Sequence, residues 1–142
     1  MAKINVVYWS QTGNTQKMAE AVGEGIKNAG KEPEVVEVSA ASIDDLKASD
    51  AFALGCPAMG AEALEEMEME PFVEELTQYV SGKKIALFGS YGWGDGEWMR
   101  DWVERMQTAG AVIVDNEGLI CQEEPDDDVL EACRKLGEKL VN

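Results

Sequence analysis

The stretch KINVVYWSQTGNT at residues 3–15 decides the fold class of this chain. Its first half is a nearly continuous apolar run, which is typical of a parallel strand covered on both faces. The run ends in the polar segment 10–15, the first loop, which leads directly into the apolar spacing of a helix. A buried strand followed by a short loop and a helix predicts the first half of a βαβ unit.

The same alternation of apolar runs and helical patterns continues along the chain. Strands are predicted at 4–9, 34–38, 51–55, 84–89 and 111–114, the last resuming at 118–121. Helices are predicted at 15–29, 71–80, 97–109 and 126–141, with a short helical turn at 43–47. This order predicts an α/β fold in which a doubly wound parallel sheet carries helices on both faces. With no linker or low-complexity stretch, residues 1–142 are expected to form a single domain.

The composition excludes several functional classes. The 142 residues include 28 acids, 12 bases and no histidine, which gives a formal net charge of −16. Nucleic acids and anionic membrane surfaces are therefore not expected as partners, because both attract clustered Lys and Arg. Without histidine there is no Ser-His-Asp or Cys-His nucleophile, and no metal site is predicted.

The cysteines and the hydropathy bear on the cellular compartment. Cys56, Cys121 and Cys133 are an odd number without a CxxC pair, which does not fit the disulfide framework of a small secreted protein. The first residues are too polar for a signal peptide. No apolar run approaches the ~18 residues of a membrane helix. The chain is expected to be reduced, soluble and cytoplasmic.

In a doubly wound sheet ligands bind outside the carboxyl ends of the strands, so the loops after predicted strands one, three and four are informative. The first loop places four hydroxyl or amide side chains around Gly13, namely Ser10, Thr12, Asn14 and Thr15. The helix that follows offers free N–H groups and a positive dipole end, which suit a phosphate. The lack of a GK[ST] motif disfavours a nucleoside triphosphatase. The alternative is a Ser/Thr-rich helix cap without a ligand.

The second loop, residues 56–62, follows the third predicted strand. Cys56 lacks the arginine that a low-molecular-weight tyrosine phosphatase carries at this spacing, since position 62 is glutamate. We therefore expect an inert core thiol. Met59 beside Gly60 suits contact with a flat aromatic ring, because the thioether is flexible and polarisable. Ordinary core packing is the alternative for this side chain.

The third loop, SYGWGDG at residues 90–96, contains three glycines that allow the backbone to approach a ligand closely. It does not match GxGxxG, so a dinucleotide site is not supported. Trp93 lies between two glycines and is either a lid on the core or a stacking platform for a ring. Together the three loops predict a neutral phosphate site with a methionine wall and a tryptophan wall, which FMN fits.

Three segments, VYWSQTGNT (7–15), GCPAMG (55–60) and LFGSYGWGDGEWM (87–99), resemble the short-chain flavodoxins of the clostridial type. The resemblance covers essentially the whole chain, with the motifs in the order and spacing of that family. It implies a flavodoxin-like three-layer fold with a five-stranded parallel sheet of order 2-1-3-4-5. It also implies an electron carrier, not an enzyme, with non-covalently bound FMN as the cofactor.

The resemblance further implies roles for individual residues. Hydroxyl and amide groups of the first loop would hold the FMN phosphate with help from Ser90, and Met59 and Trp93 would flank the isoalloxazine ring. Gly60 would present its carbonyl to flavin N5, and Glu62 would accept from N3–H. The full predicted set is Ser10, Gln11, Thr12, Gly13, Asn14, Thr15, Ala58, Met59, Gly60, Ala61, Glu62, Ser90, Tyr91, Gly92, Trp93 and Gly94. Ala61 and Pro57 depart from residues that some relatives carry, which bears on flavin affinity and potential.

We hypothesise that the protein carries single electrons at low potential, cycling FMN between its neutral semiquinone and its anionic hydroquinone. A carbonyl must turn toward N5 when that atom gains a proton, and a turn with positive φ at Gly60 suits this change. Seven acids lie in 62–75 and five more in 123–128. Their charges disfavour a new negative charge on the flavin, which lowers the second potential.

The same acids predict a docking surface for redox partner proteins that present Lys and Arg. A merely solvated acidic surface is the alternative. Nothing in the sequence indicates an obligate oligomer, so a monomer is expected. A small quinone or flavin reductase is the competing functional class, although Met59 and Trp93 would leave little room for a substrate. A receiver domain is set aside because Trp9, Ser10 and Cys56 stand where its acids would be.

Overall fold

A parallel sheet forms the centre of the protein. The computed structural model describes residues 3–60 and 63–142. The strands are β1 (Lys3–Tyr8), β2 (Glu32–Glu37), β3 (Ala51–Gly55), β4 (Lys84–Tyr91), β5 (Val112–Ile113) and β6 (Leu119–Gln122). Their order across the sheet is β2-β1-β3-β4-β5, β6 also pairs with β4, and every pair is parallel. The predicted order 2-1-3-4-5 is confirmed.

The fifth position of the sheet is shared by two short segments. β5 pairs with the first two residues of β4, and β6 pairs with its last four. A 3-10 turn at Val114–Asn116 separates them, and Asp115 and Asn116 adopt φ values of 62° and 59°. Positive φ redirects the chain and interrupts strand geometry. The predicted resumption of this strand is therefore confirmed, with each bound shifted by one residue.

Helices cover both faces of the sheet. They are α1 (Asn14–Asn28), α2 (Ile43–Lys47), α3 (Met69–Leu76), α4 (Glu97–Thr108) and α5 (Asp127–Val141). α1 and α5 share one apolar cluster with the sheet, and α2, α3 and α4 share the other. Successive residues of β1 alternate between the two, with Val6 in the first cluster and Val7 in the second. The predicted three-layer arrangement is confirmed.

None of the helices within 3–60 and 63–142 is long and apolar enough to cross a membrane.

The bounds predicted for the third helix are wrong at both ends. The prediction was 71–80, whereas α3 spans Met69–Leu76. It begins two residues earlier because the carboxylate of Glu65 accepts the main-chain N–H of Met69, and Pro71 then lies in a tolerated position of the first turn. It ends earlier because the N–H groups of Gln78 and Tyr79 bond three residues back, as in a turn. Val80 is buried as expected, although it lies outside the helix.

α1 and α5 approach each other closely at two glycines. A Cβ on Gly25 would overlap the main-chain carbonyl of Arg134, and a Cβ on Gly137 would overlap that of Val22. Backbone atoms cannot rotate away as a flexible side chain could, so the close approach requires glycine at both positions. This contact fixes α1, the helix that begins at the first loop.

We predict that Gly25→Ala lowers the free energy of unfolding by about 1–3 kcal/mol, the cost of overpacking, despite the higher helix propensity of alanine. Urea unfolding of the flavin-free protein measures the change. Gly92→Ala is the matched control, because a Cβ there meets no atom within 4 Å. An equal loss of stability in both variants would contradict the close-contact explanation.

Candidate functional site

The three loops converge on one cleft at the carboxyl ends of β1, β3 and β4. Its volume is about 230 Å³. The residues that line it are Ser10, Gln11, Thr12, Asn14, Thr15, Pro57, Ala58, Met59, Ser90, Tyr91, Gly92 and Glu123. Ten of these belong to the predicted set, so the tertiary structure brings together residues that lie up to about 80 positions apart in sequence.

The first loop is held closed by Ser10. Its Oγ accepts the main-chain N–H of Gly13 at 3.1 Å and that of Gln16 at 3.3 Å. Gly13 precedes α1 with φ 95°, and no side chain at that position caps the helix. Ser10 therefore acts as a local cap, as the alternative interpretation predicted. The loop nevertheless presents Thr12 and Asn14 to the cleft beside the N-terminus of α1.

A pair of buried hydroxyls joins the first loop to the third. Thr15 Oγ1 and Ser90 Oγ lie 3.0 Å apart, and Thr15 Oγ1 also accepts the N–H of Ser90 at 3.4 Å. Both residues are buried. Buried hydroxyls need partners, and these two satisfy each other. The bond fixes the start of α1 against the end of β4.

The second loop continues the hydrogen bonding of the sheet and then forms a hairpin. Ala58 donates its N–H to Ser90 O at 3.0 Å. Met59 and Ala63 exchange N–H···O bonds of 2.8 and 2.9 Å, which defines the 59–63 hairpin. Gly60, at its tip, has φ 50°, a left-handed conformation that glycine adopts readily. The predicted positions Ala61 and Glu62 lie outside the described residues.

Cys56 is a buried thiol at the start of the second loop. Burial raises its pKa to about 12, so the sulfur stays protonated at neutral pH. The predicted inert core thiol is confirmed. Within the described residues, no group of three or more Cys, Asp or Glu side chains is arranged to hold a metal ion.

Glu65 supports the return arm of the hairpin. Its carboxylate accepts the main-chain N–H groups of Met67, Glu68 and Met69 at 2.8, 2.7 and 3.0 Å. Burial raises the pKa of this carboxyl, but the three N–H donors outweigh burial and hold the pKa below the ordinary glutamate value. Glu65 is therefore ionised at neutral pH and fixes the start of α3.

The third loop divides into a packed part and an exposed part. The ring of Tyr91 lies 5.5 Å from that of Trp98, and Gly92 O accepts a bond from Gln122 Nε2 at 3.4 Å. Trp93 is 65 % exposed and does not line the cleft, and Gly94 does not line it either. The interpretation of Trp93 as a lid on the core is wrong. Crowding by Trp93 therefore does not by itself argue against a reductase.

The lining residues include no base, and Glu123 is their single acid. Lys17, one turn into α1, pairs with Glu124 at 3.5 Å. A phosphate in the cleft would therefore be held by neutral hydroxyl, amide and N–H dipoles, which fits the donors present. The residues of this structure thus fit the phosphate of FMN. Half-buried Met59 also lines the cleft, as predicted for a wall of the ring site.

Glu123 and Pro57 line the cleft outside the predicted set. Glu123 donates its N–H to Tyr91 O at 2.7 Å and has φ 60°. It reaches the cleft because β6 runs beside the end of β4. In sequence it is only the first member of an acidic run, so no local signal marks it. Pro57 lines the cleft because it directly precedes Ala58 in the second loop. In sequence it is marked only as a departure from the residue that some relatives carry.

Residues 6–137 match the flavodoxin family. The chain belongs to this family. It is 52% identical over 139 residues to a flavodoxin of Clostridium beijerinckii, an alignment that covers 98% of this chain and 99% of that protein. It is also similar to the solution structure of two-electron reduced Megasphaera elsdenii flavodoxin, with TM-score 0.87, 43% identity, and 97% and 98% of the two chains covered. A flavodoxin from the domain Archaea gives TM-score 0.88 at 32% identity, covering 99% of this chain and 96% of that one.

Family membership settles the general function. Flavodoxins are FMN-binding electron carriers, so this flavodoxin is an electron-transfer flavoprotein that uses FMN and is not an enzyme. The cofactor supplies one-electron chemistry when it is bound. The polypeptide supplies the cleft, its hydrogen-bond donors and the charges around it.

We predict that the stability lost in Glu65→Gln depends on pH. Because the pKa of Glu65 is lowered in the folded state, its contribution is complete above the unfolded glutamate pKa of about 4.3 and is lost as the pH falls through the lower folded value. Urea unfolding at several pH values should show a constant difference between the two proteins from pH 7 to about 5, and a shrinking one below. Glu66→Gln, at an exposed neighbour, is the control. A difference independent of pH would contradict the assignment.

Proposed function

We propose that this flavodoxin binds FMN in the cleft through the sixteen residues predicted from the sequence and transfers electrons at low potential between redox partner proteins. The observation that carries the proposal is the convergence of Thr12 and Asn14 with the joined hydroxyls of Thr15 and Ser90 beside a helix N-terminus. These donors recognise the phosphate without a cation. The 59–63 hairpin and the third loop then border the ring.

The walls of the ring site are Met59 and Trp93. Met59 lines the cleft already, which supports its role on one face of the isoalloxazine. Trp93 is exposed between Gly92 and Gly94, and this exposure leaves its indole available to stack on the opposite face. Gly60, at the hairpin tip, would meet the polar edge of the ring, and Ala61 and Glu62 are included in the proposed set on the family resemblance alone.

We predict that Asn14→Ala weakens FMN binding by about tenfold, the loss of one hydrogen bond to a charged group, and leaves riboflavin binding unchanged. Riboflavin lacks the phosphate, so the comparison isolates the first loop. Binding is measured by titrating the flavin-free protein with each flavin. Asn28→Ala, at the opposite end of α1, is the matched control. Equal weakening for both flavins would contradict the phosphate assignment, and wild-type protein that binds neither would contradict the proposed site.

Charge is distributed unevenly along the strand direction. The acids at 65–70 follow the second loop and those at 123–128 follow β6, whereas Lys3 and Lys84 begin β1 and β4 at the opposite end. Among the described residues near the cleft, Lys17 pairs with Glu124 and Arg100 with Asp95. The cleft end is therefore negative, which supports a low potential and attraction of partners rich in Lys and Arg.

We predict that the double variant Glu66→Gln, Glu68→Gln slows electron transfer to a positively charged c-type cytochrome about fourfold at low salt. Two charges at ~10 Å in water contribute about 0.8 kcal/mol together, which corresponds to that factor. Stopped-flow rates over a range of ionic strengths measure it, and the rates of both proteins should fall and converge as salt screens the charges. Glu32→Gln with Glu138→Gln removes the same charge near the other end of the sheet and should have little effect. A rate independent of ionic strength would contradict docking through the acidic surface.

We also propose that residues 1–142 act as a single flavodoxin-like domain, as a monomer, in the cytoplasm. The family match spans residues 6–137 without interruption. The three cysteines are free and buried, which suits a reducing compartment.

A further inference from the structure

Glu65 is a charged side chain in an unusual place. It is only 7 % exposed, whereas its neighbours Glu66 and Glu68 are exposed. The groups that lower its pKa are all main-chain N–H groups. Buried carboxylates are expensive unless every lone pair is used, so a buried glutamate held in this way indicates a specific structural task.

The task is visible in the bonds that Glu65 makes. Oε1 accepts from Glu68 and Met69, Oε2 accepts from Met67, and the main-chain carbonyl accepts from Glu70 at 2.8 Å. One residue thus receives the N–H groups of four consecutive residues. Three of these bonds go to an ionised acceptor, which makes them stronger than ordinary amide bonds. The segment between the hairpin and α3 is ordered around this side chain.

The same residue closes the base of the second loop. The N–H of Glu65 points at Cys56 Sγ at 3.4 Å. Cys56 is itself fixed, because its N–H donates to Phe88 O at 3.1 Å and its carbonyl accepts from Trp98 Nε1 at 3.1 Å. The 59–63 hairpin lies between these two fixed points. The segments before and after the hairpin are therefore both held by hydrogen bonds of buried residues.

We infer that Glu65 is a positioning residue for the flavin, which acts through the 59–63 hairpin without touching the cofactor. The inference rests on the proposed function, in which the hairpin tip borders the polar edge of the ring. A fixed base keeps the tip carbonyl within hydrogen-bonding reach of the ring. When the carboxylate is lost, the base relaxes and the tip is held less well.

The first reduction potential separates this role from a simple effect of charge. If the first electron enters together with a proton, the net charge of the flavin does not change, and the loss of a nearby negative charge leaves that step almost unaffected. A change in hairpin geometry would affect that step, because the proposed role of the hairpin is a hydrogen bond to the ring edge. A merely structural role in folding would leave the first potential unchanged.

The experiment measures both one-electron potentials of the FMN-loaded protein by dithionite titration against reference dyes. Glu65→Gln should lower the first potential by about 59 mV, which is a tenfold change in the equilibrium constant for one electron. The Gln side chain keeps one acceptor oxygen but loses the charge and the bond to Met67. Glu66→Gln removes the same charge from an exposed neighbour and should leave the first potential unchanged.

Glu65→Asp provides a second variant that keeps the charge but shortens the reach of the carboxylate. It should shift the first potential in the same direction as Glu65→Gln, and it remains informative if Glu65→Gln fails to fold. An unchanged first potential in every Glu65 variant that folds overturns the inference. Wild-type protein that does not bind FMN would instead overturn the proposed function, so the two failures are distinguishable.

Discussion

The parallel pairing of β1, β3 and β4 determines the position along the strand direction at which each loop of the site begins. In register, Tyr8 lies beside Gly55, and Gly55 lies beside Phe88. Hydrogen bonding continues past the ends of the strands, from Trp9 N–H to Gly55 O and from Ala58 N–H to Ser90 O. The loops therefore leave the sheet side by side. Because parallel strands end at the same edge, three segments far apart in sequence form one cleft without any long-range motif to connect them.

The chemistry of the cleft separates phosphate recognition from charge neutralisation. Neutral hydroxyl and amide donors and the start of α1 can bind a phosphate without a lysine, because the helix dipole supplies partial positive charge. A lysine or arginine in the lining would add a full charge near the flavin and favour its reduction. Neutral donors in the lining of the cleft and acids on the surrounding surface therefore have the same effect on the flavin. Both keep the addition of negative charge to the cofactor unfavourable, as the proposed low potential requires.

The acids of the 62–75 segment do not share one role. Glu66 and Glu68 are exposed and contribute to the surface field, whereas Glu65 is buried and shapes the chain. Glu70 forms a two-point ion pair with Arg105 at 2.9 and 2.7 Å, which joins α3 to α4. A run of like charges in sequence therefore takes three distinct roles, since one carboxylate is buried, two are exposed and one is paired. The start of α3 depends on this arrangement.

Three features could be predicted from the sequence: the layer architecture, the strand order through family resemblance, and ten of the residues that line the cleft. Apolar periodicity and short polar loops are local properties, and the three loops of the cleft are local segments, so each can be recognised without knowledge of the rest. The tertiary structure alone decided the rest. It placed Glu123 in the cleft, buried Glu65, left Trp93 exposed and started α3 at Met69. These outcomes depend on which chain segment lies beside another, and hydrogen bonds between distant residues leave no local pattern in the sequence.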